Sequence, residues 1–123
     1  MGQKFKYLKF ISNQNPFGIL FHTKAIETII RNAVNQKKYS QKDTFLLNER
    51  WHCFEAHSQL SSPSKKQHIQ QLNDASELTN KSLTNSTHII ITLGTSWVYQ
   101  LIESKTIVAN CHKVPSQKFK KII

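Results

Sequence analysis

Thr87-His88-Ile89-Ile90-Ile91-Thr92-Leu93 is the stretch on which the fold turns. Its residues are nearly all β-branched and its apolar character is continuous instead of alternating, which suits a strand covered on both faces in a parallel sheet. Gly94 and Thr95 end it. Ligands of α/β sheets bind beyond the carboxyl ends of parallel strands, so this end is where such a fold would put a site.

On its N-terminal side, Ser62-Pro63-Ser64-Lys65-Lys66-Gln67 offers a Ser N-cap with Pro at the first helical position, or a capping box from Ser64 to Gln67. Ile69, Leu72, Ala75 and Leu78 follow as a narrow apolar stripe, which predicts a mostly solvated helix ending near Leu83. On its C-terminal side, Trp97–Ile102 and Thr106–Ala109 flank Glu103-Ser104-Lys105 and predict a hairpin. The tail from Ser116 places Phe119, Ile122 and Ile123 at helical spacing and reads as a basic helix that stops before its turns are complete.

Nearer the start, Tyr7-Leu8-Lys9-Phe10-Ile11 has the aromatic and β-branched character of a short strand, delivering a loop with the turn chemistry of Asn13-Gln14-Asn15-Pro16-Phe17-Gly18. From Thr23, a fair N-cap, Ala25, Ile26, Ile29, Ile30, Ala33 and Val34 recur at helical spacing, and Lys37 and Lys38 suit the C-terminal dipole. Thr44–Phe54 holds two apolar runs around Asn48-Glu49-Arg50 and predicts a small hairpin or an irregular extended segment. Strands alternating with helices make this an α/β chain with parallel core strands and an added hairpin.

Composition narrows the classes. The 123 residues suffice for one compact core, and 38% hydrophobic content with 7 Phe, 3 Tyr and 2 Trp argues against disorder. Seventeen Lys and Arg against 7 Asp and Glu give a net charge of +10, which raises polyanionic partners. The lysines are scattered over Lys4, Lys6, Lys9, Lys37, Lys38, Lys65, Lys66, Lys118, Lys120 and Lys121, so they read as a solvated face, and nucleic acid is not the expected partner. No apolar run is long enough to cross a bilayer and no secretion signal is visible, so a cytoplasmic chain without a membrane partner is expected.

Counting also excludes chemistry. The only glycines are Gly2, Gly18 and Gly94, too few for a Gly-x-Ser-x-Gly elbow, a phosphate-cradling loop or a dinucleotide fingerprint. Cys53 and Cys111 are too few for a disulfide framework and read as reduced thiols. His52, Cys53, His57, Cys111 and His112 match no standard zinc spacing, and no metal or other cofactor is expected. A Cys-His nucleophile pair would need an orienting acid, and the only aspartates, Asp43 and Asp74, lie in polar stretches. Two loops remain. Gly94-Thr95 is either a tight turn or a holder of an anion or oxyanion, with Gly94 permitting close approach and Thr95 offering a hydroxyl and an N–H. Asn15-Pro16-Phe17-Gly18 is either a plain turn or a loop presenting the Asn15 amide and the Gly18 N–H to a reacting carbonyl.

Four motifs stand in order: Asn15-Pro16-Phe17-Gly18-Ile19-Leu20-Phe21; Trp51 with His57-Ser58; Ile91-Thr92-Leu93-Gly94-Thr95-Ser96-Trp97-Val98-Tyr99; and Val108-Ala109-Asn110-Cys111-His112-Lys113-Val114-Pro115. Through them the chain resembles the bacterial GSCFA family over essentially its whole length. The resemblance implies a flavodoxin-like three-layer α/β/α fold of the SGNH-hydrolase type. Such enzymes use an early Ser nucleophile, Gly and Asn oxyanion donors and a late Asp-x-x-His pair. It also implies a Gly-Ser-Cys-Phe-Ala stretch ahead of Lys4–Ile11, where this chain opens with Met1-Gly2-Gln3, and a C-terminal half carrying the catalytic His. The expectation is therefore a single partial domain over 1–123, truncated at both ends and without a nucleophile. By position the Asn15 to Gly18 loop is similar to the second SGNH block and Gly94-Thr95 to the third, with Thr95 in place of the usual Asn; Trp97, His57 and His112 are expected pocket residues.

The implied function is the central portion of an esterase acting on an acyl ester of a small molecule or a glycan, inert by itself. The alternatives are a basic module for nucleic acid or another polyanion, and a non-catalytic scaffold. Missing strands would leave apolar surface through which copies self-associate.

Overall fold

A computed structural model describes residues 2–123 as a mixed α/β chain of three helices and two small antiparallel sheets. The order is α1 (Gly2–Tyr7), α2 (Thr23–Val34), β1 (Phe45–Leu47), β2 (Arg50–His52), α3 (Lys65–Asn85), β3 (Val98–Leu101), β4 (Ile107–Val108) and β5 (Phe119–Ile122).

The two long helices form where periodicity places them. In α2 the buried residues Ala25, Ile29 and Ala33 recur every fourth position, while Glu27 faces outward between Lys24 and Arg31. The N-cap is His22, one residue before the expected Thr23, because its Nδ1 accepts the Ala25 N–H at 3.0 Å. In α3 the Ser64 hydroxyl accepts the Gln67 N–H at 3.2 Å, as expected of an N-cap. The Gln67 side chain turns instead to the Ser62 hydroxyl, 3.1 Å away, so the capping box is half formed. The buried face of α3 is His68, Leu72, Ala75, Ser76 and Thr79, rotated from the expected stripe so that Leu78 is exposed. Small residues on facing surfaces let α2 and α3 approach, and Asn80 donates to the Ala33 carbonyl at 2.9 Å, satisfying an orphan acceptor near the end of α2.

The core beneath the helices joins Phe17, Ile29, Tyr39, Cys53, Ala56, Leu72 and Ala75, with Leu20 and Leu60 packed against it. Tyr39 is fixed twice: its ring lies 5.8 Å from that of Phe17, and its hydroxyl donates to Glu55 at 2.7 Å. Glu55 also accepts from Asn32 at 2.9 Å and from Lys37, which reaches Asp43 at 3.2 Å. This hub ties α2 to the segment after β2 and meets the hydrogen-bonding needs of a half-buried carboxylate.

Both expected hairpins form. β1 and β2 pair antiparallel through Asn48 and Glu49, whose φ values of 50° and 61° match a two-residue turn of the twist that hairpins favour. β3 pairs with β4 in the register Tyr99 to Val108, closing the second hairpin.

Two expectations near the chain's ends are corrected. The tail from Ser116 is a single 3-10 turn, Ser116–Lys118, followed by strand β5, which pairs with β3 from Leu101 opposite Phe119 to Val98 opposite Ile122. A short helix must pay for its nucleus, whereas the free edge of β3 offers a ladder and Phe119 an edge-on contact with Phe54 at 6.1 Å. The start is helix α1 where a strand over Tyr7–Ile11 was expected. Among the described residues no neighbouring strand serves this segment, so its backbone bonds locally: the Phe10 N–H reaches the Phe5 carbonyl, and the Lys9 N–H, at φ 66°, reaches that of Lys6. This is a Schellman stop, with Phe5 and Phe10 packed edge to face at 5.9 Å as its apolar contact.

The isoleucine stretch takes neither helix nor sheet form. Thr87–Leu93 makes no backbone hydrogen bond among the described residues. Ile89, Ile90, Ile91 and Leu93 are 56%, 58%, 51% and 63% exposed, where coverage on both faces was expected. The single parallel contact lies at its end, a bridge between His22 and Thr95.

Candidate functional site

At this bridge the Phe21 carbonyl accepts both the Gly94 and the Thr95 N–H, each at 2.9 Å. Gly94 allows the approach, since a Cβ there would sit 3.1 Å from the Phe21 oxygen. The Thr95 hydroxyl is 3.4 Å from the Trp97 carbonyl. His22 anchors the other side: it is buried, and its Nε2 donates to the Val108 carbonyl at 3.0 Å. The peptide that leaves the first loop is thereby held beside Gly94-Thr95.

The loop itself is a tight turn. Asn15 has φ 41°, Gly18 has φ 81°, and the Gly18 N–H donates to the Asn15 carbonyl at 2.8 Å. Gly18 is buried against His57, and any Cβ on it would collide with the His57 Cβ. His57 in turn donates its N–H to the Phe17 carbonyl at 2.9 Å, and its Nδ1 accepts from Gln59, capping the 3-10 turn Ser58–Leu60. The N–H groups of Gly18, Gly94 and Thr95 are thus all spoken for by backbone carbonyls, which leaves the Asn15 carboxamide as a group that could meet a ligand oxygen, while the Thr95 hydroxyl would have to leave the Trp97 carbonyl to do so. Beside the loop, Pro16 forms one wall of an open depression of about 300 Å³ whose other walls are Leu60, Gln71, Asp74, Ala75 and Leu78. The buried Gln71 Oε1 has no hydrogen-bond partner.

Trp97 and His112 lie apart from this turn. Trp97 is partly exposed, with the Lys121 ammonium 4.4 Å from its ring centre. His112 is buried, 4.8 Å from the His52 ring and flanked by Phe45 and Phe54. Its Nε2 donates to the Cys53 carbonyl at 2.7 Å while Nδ1 has no partner. Burial drives its pKa down to about 4, with His52 and His68 adding to the effect against the raising influence of the Cys53 carbonyl. Of the seven expected residues, the structure therefore brings Asn15, Gly18 and His57 together at one turn, sets Gly94 and Thr95 against Phe21-His22, leaves Trp97 against Lys121, and puts His112 in a separate histidine cluster.

Sequence reasoning considered His52 and His112 together only as zinc ligands and missed His68, which joins them. His68 is fully buried on α3, one turn before Leu72, and donates from Nδ1 to the Leu60 carbonyl at 2.6 Å. His52 donates from Nε2 to the Leu47 carbonyl and accepts the Ser61 hydroxyl at Nδ1. The only signal for any of them is the spacing of His68 to Leu72 and Ala75. Among the described residues no group of three or more His, Cys, Asp or Glu is arranged to hold a metal ion. The thiols are poorly activated: burial pushes Cys53 up to about 12 and raises Cys111.

A family model described as the GSCFA family matches residues 1–123. The chain belongs to the GSCFA family. No curated protein and no solved structure matches it. In this GSCFA chain the motif Asn15–Phe21 supplies the turn and the carbonyl that binds Gly94-Thr95, and the motif Val108–Pro115 supplies the Val108 carbonyl that fixes His22. All four motifs in the sequence thus meet through hydrogen bonds, His57 of the second on the Phe17 carbonyl of the first, Gly94 and Thr95 of the third on the Phe21 carbonyl, and Val108 of the fourth paired with Tyr99 of the third. No helix is long and apolar enough to cross a membrane among the described residues.

Proposed function

We propose that this GSCFA chain is the central portion of an SGNH-like hydrolase acting on an acyl ester, and that it forms the rim of the ester site without a nucleophile of its own. The observation that carries the reading is the parallel bridge from His22 to Thr95. In an α/β hydrolase the loops after successive parallel strands lie side by side, and a parallel contact between these two segments fits such an arrangement. In the same reading the isoleucine stretch is an inner strand of a flavodoxin-like parallel core. Its aliphatic side chains on both faces support that assignment. The Asn15 carboxamide and the Thr95 hydroxyl serve as donors to the acyl oxygen, and the depression beside Pro16 and Leu78 receives the apolar part of the acyl group. Gly-Ser-Cys-Phe-Ala does not occur in the sequence, and this reading assigns none of the chain's serines as nucleophile.

The test is hydrolysis of a p-nitrophenyl ester by this chain and by the same chain carrying its flanking gene-encoded sequence. Turnover is expected only in the longer protein, and Asn15→Ala and Thr95→Ala should each lower its kcat about 10- to 1,000-fold if these groups stabilise an oxyanion. Turnover by the short chain would remove the inert-rim reading, and an inactive, folded longer protein would remove the hydrolase reading.

A further inference from the structure

Three buried imidazoles converge from separate segments: His52 on β2, His68 on α3 and His112 on the loop after β4. Each donates one N–H to a backbone carbonyl, His52 to Leu47, His68 to Leu60 and His112 to Cys53. Each neutral ring therefore presents its other nitrogen as a lone pair. Only His52 finds a donor for it, the Ser61 hydroxyl at 2.7 Å. His68 Nε2 and His112 Nδ1 are buried and bare, which is unusual for polar atoms in a core and leaves both able to take a proton.

No element packed on His112 brings it a negative charge. β1 contributes the Phe45 ring, β2 the His52 imidazole, α3 that of His68, and the segment after β2 the Phe54 ring with the Cys53 and Ala56 carbonyls. Burial keeps the Cys53 thiol protonated. The charged residues of these segments are engaged elsewhere: Glu55 by Tyr39, Asn32 and Lys37, Arg50 by the Ser61 carbonyl, and Lys65 over the Trp51 ring. Glu49 is exposed in the hairpin turn, and Val108–Pro115 itself holds Lys113 and no acid. Of the three rings, that of His112 is the freest to leave. His52 is fixed in a ladder opposite Phe45 and His68 in the first turns of a long helix, whereas His112 and Lys113 are successive residues with φ 50° and 63°, a left-handed conformation that costs any residue with a Cβ. We propose that the cluster is an acid-operated latch: a proton from solvent makes His112 Nδ1 a buried N–H without an acceptor, and Ala109–Pro115 swings out to carry the imidazolium to water. The bonds to be broken are few: Ala109 and Asn110 N–H on the Phe54 carbonyl, and His112 on that of Cys53. The Val108 carbonyl then loosens from His22, the partner of Thr95 in the parallel bridge. With the closed form taking its proton near pH 4 and the open one at an ordinary 6.5, the latch is held above 6.5, and the open fraction rises about 20-fold from pH 7 to pH 5. Control of an ester site by the latch rests on the hydrolase reading; the latch itself uses no ligand, and its test needs no substrate.

Amide exchange of the full chain by NMR at pH 7 and pH 5, with and without a low concentration of urea, provides the test. Relative to their intrinsic rates, the Ala109 and Asn110 amides should lose about 20-fold in protection between the two pH values. Low urea should leave that protection unchanged, because a local opening exposes little surface. The Leu72 amide, in the core, should be better protected at both pH values and should weaken with urea, as global unfolding requires. His112→Gln, which keeps a donor for the Cys53 carbonyl and does not titrate, should show equal protection at Ala109 and Asn110 at pH 7 and 5. Exchange of Ala109 and Asn110 at the rate of Leu72 and with the same urea dependence would mean that the segment opens only with the whole fold, and would overturn the proposal. Unchanged protection at pH 5 in wild type, or a loss in His112→Gln as large as in wild type, would overturn it equally. The urea series in wild type decides the matter even where His112→Gln fails to fold.

Discussion

His112 donates from Nε2 to the Cys53 carbonyl and leaves a buried Nδ1 without a partner, so the folded protein holds this imidazole neutral. No carboxylate stands among the groups that act on it; its neighbours are His52, His68 and backbone carbonyls. Its pKa falls from an ordinary 6.5 to about 4 on folding. The folded pKa is the lower one, so the unfolded chain binds more protons between these values. The stabilising contribution is therefore complete above 6.5 and is lost as pH falls toward 4. At 1.36 kcal/mol per unit, the loss is about 2 kcal/mol at pH 5 and about 3 kcal/mol at pH 4. His68, also lowered by burial, adds to it in the same direction. Urea unfolding at pH 7, 6, 5 and 4 measures the slope. His112→Gln, which keeps a donor for the Cys53 carbonyl but does not titrate, should flatten it by about 2 kcal/mol between pH 7 and 5. Equal pH dependence in wild type and His112→Gln would refute the reasoning.

Three further outcomes are expected. Leu72→Ala, at a fully buried position where α3 meets the core, should lower unfolding free energy by about 2–5 kcal/mol in urea titrations at pH 7. Gly18→Ala should cost at least about 1–2 kcal/mol, because φ 81° is unfavourable for a residue with a Cβ. The collision with His57 adds to this, and His57→Gly in the same chain should recover part of the loss. Single-stranded DNA should bind weakly at low salt and release by about 150 mM salt, as scattered lysines give, with a fluorescence titration against salt as the readout.

The elements that could be read from the sequence are those whose signals are local. α2 and α3 announce themselves by spacing and by Ser64, and the hairpins by Asn48-Glu49 and Glu103-Ser104-Lys105. Errors appear where the outcome depends on a distant partner. Phe119-Lys120-Lys121-Ile122 becomes strand because β3 has a free edge, and Phe119 and Ile122 alone cannot say so. Tyr7–Ile11 has strand residues but no neighbour to pair with, and a Schellman stop using Phe5 and Phe10 prevails. The isoleucine stretch has the composition of an inner strand, yet composition does not supply adjacent strands. At the candidate site, Gly94 pointed to a close backbone approach, which the structure contains at the Phe21 carbonyl, whereas the packing of Gly18 on His57 was not foreseen. What they could not disclose is that the N–H groups there are consumed by carbonyls, or that His22, three residues beyond Ile19, would anchor the bridge.

The account rests on the alignment of Phe21-His22 with Gly94-Thr95. Nuclear Overhauser spectra of the labelled chain test it directly, together with amide exchange. Cross-peaks between His22 and Thr95 in a parallel pattern, with the Gly94 and Thr95 amides exchanging more slowly than those of Ile89–Ile91, are the predicted result. Fast exchange at Gly94 and Thr95, or antiparallel contacts between the two segments, would contradict it.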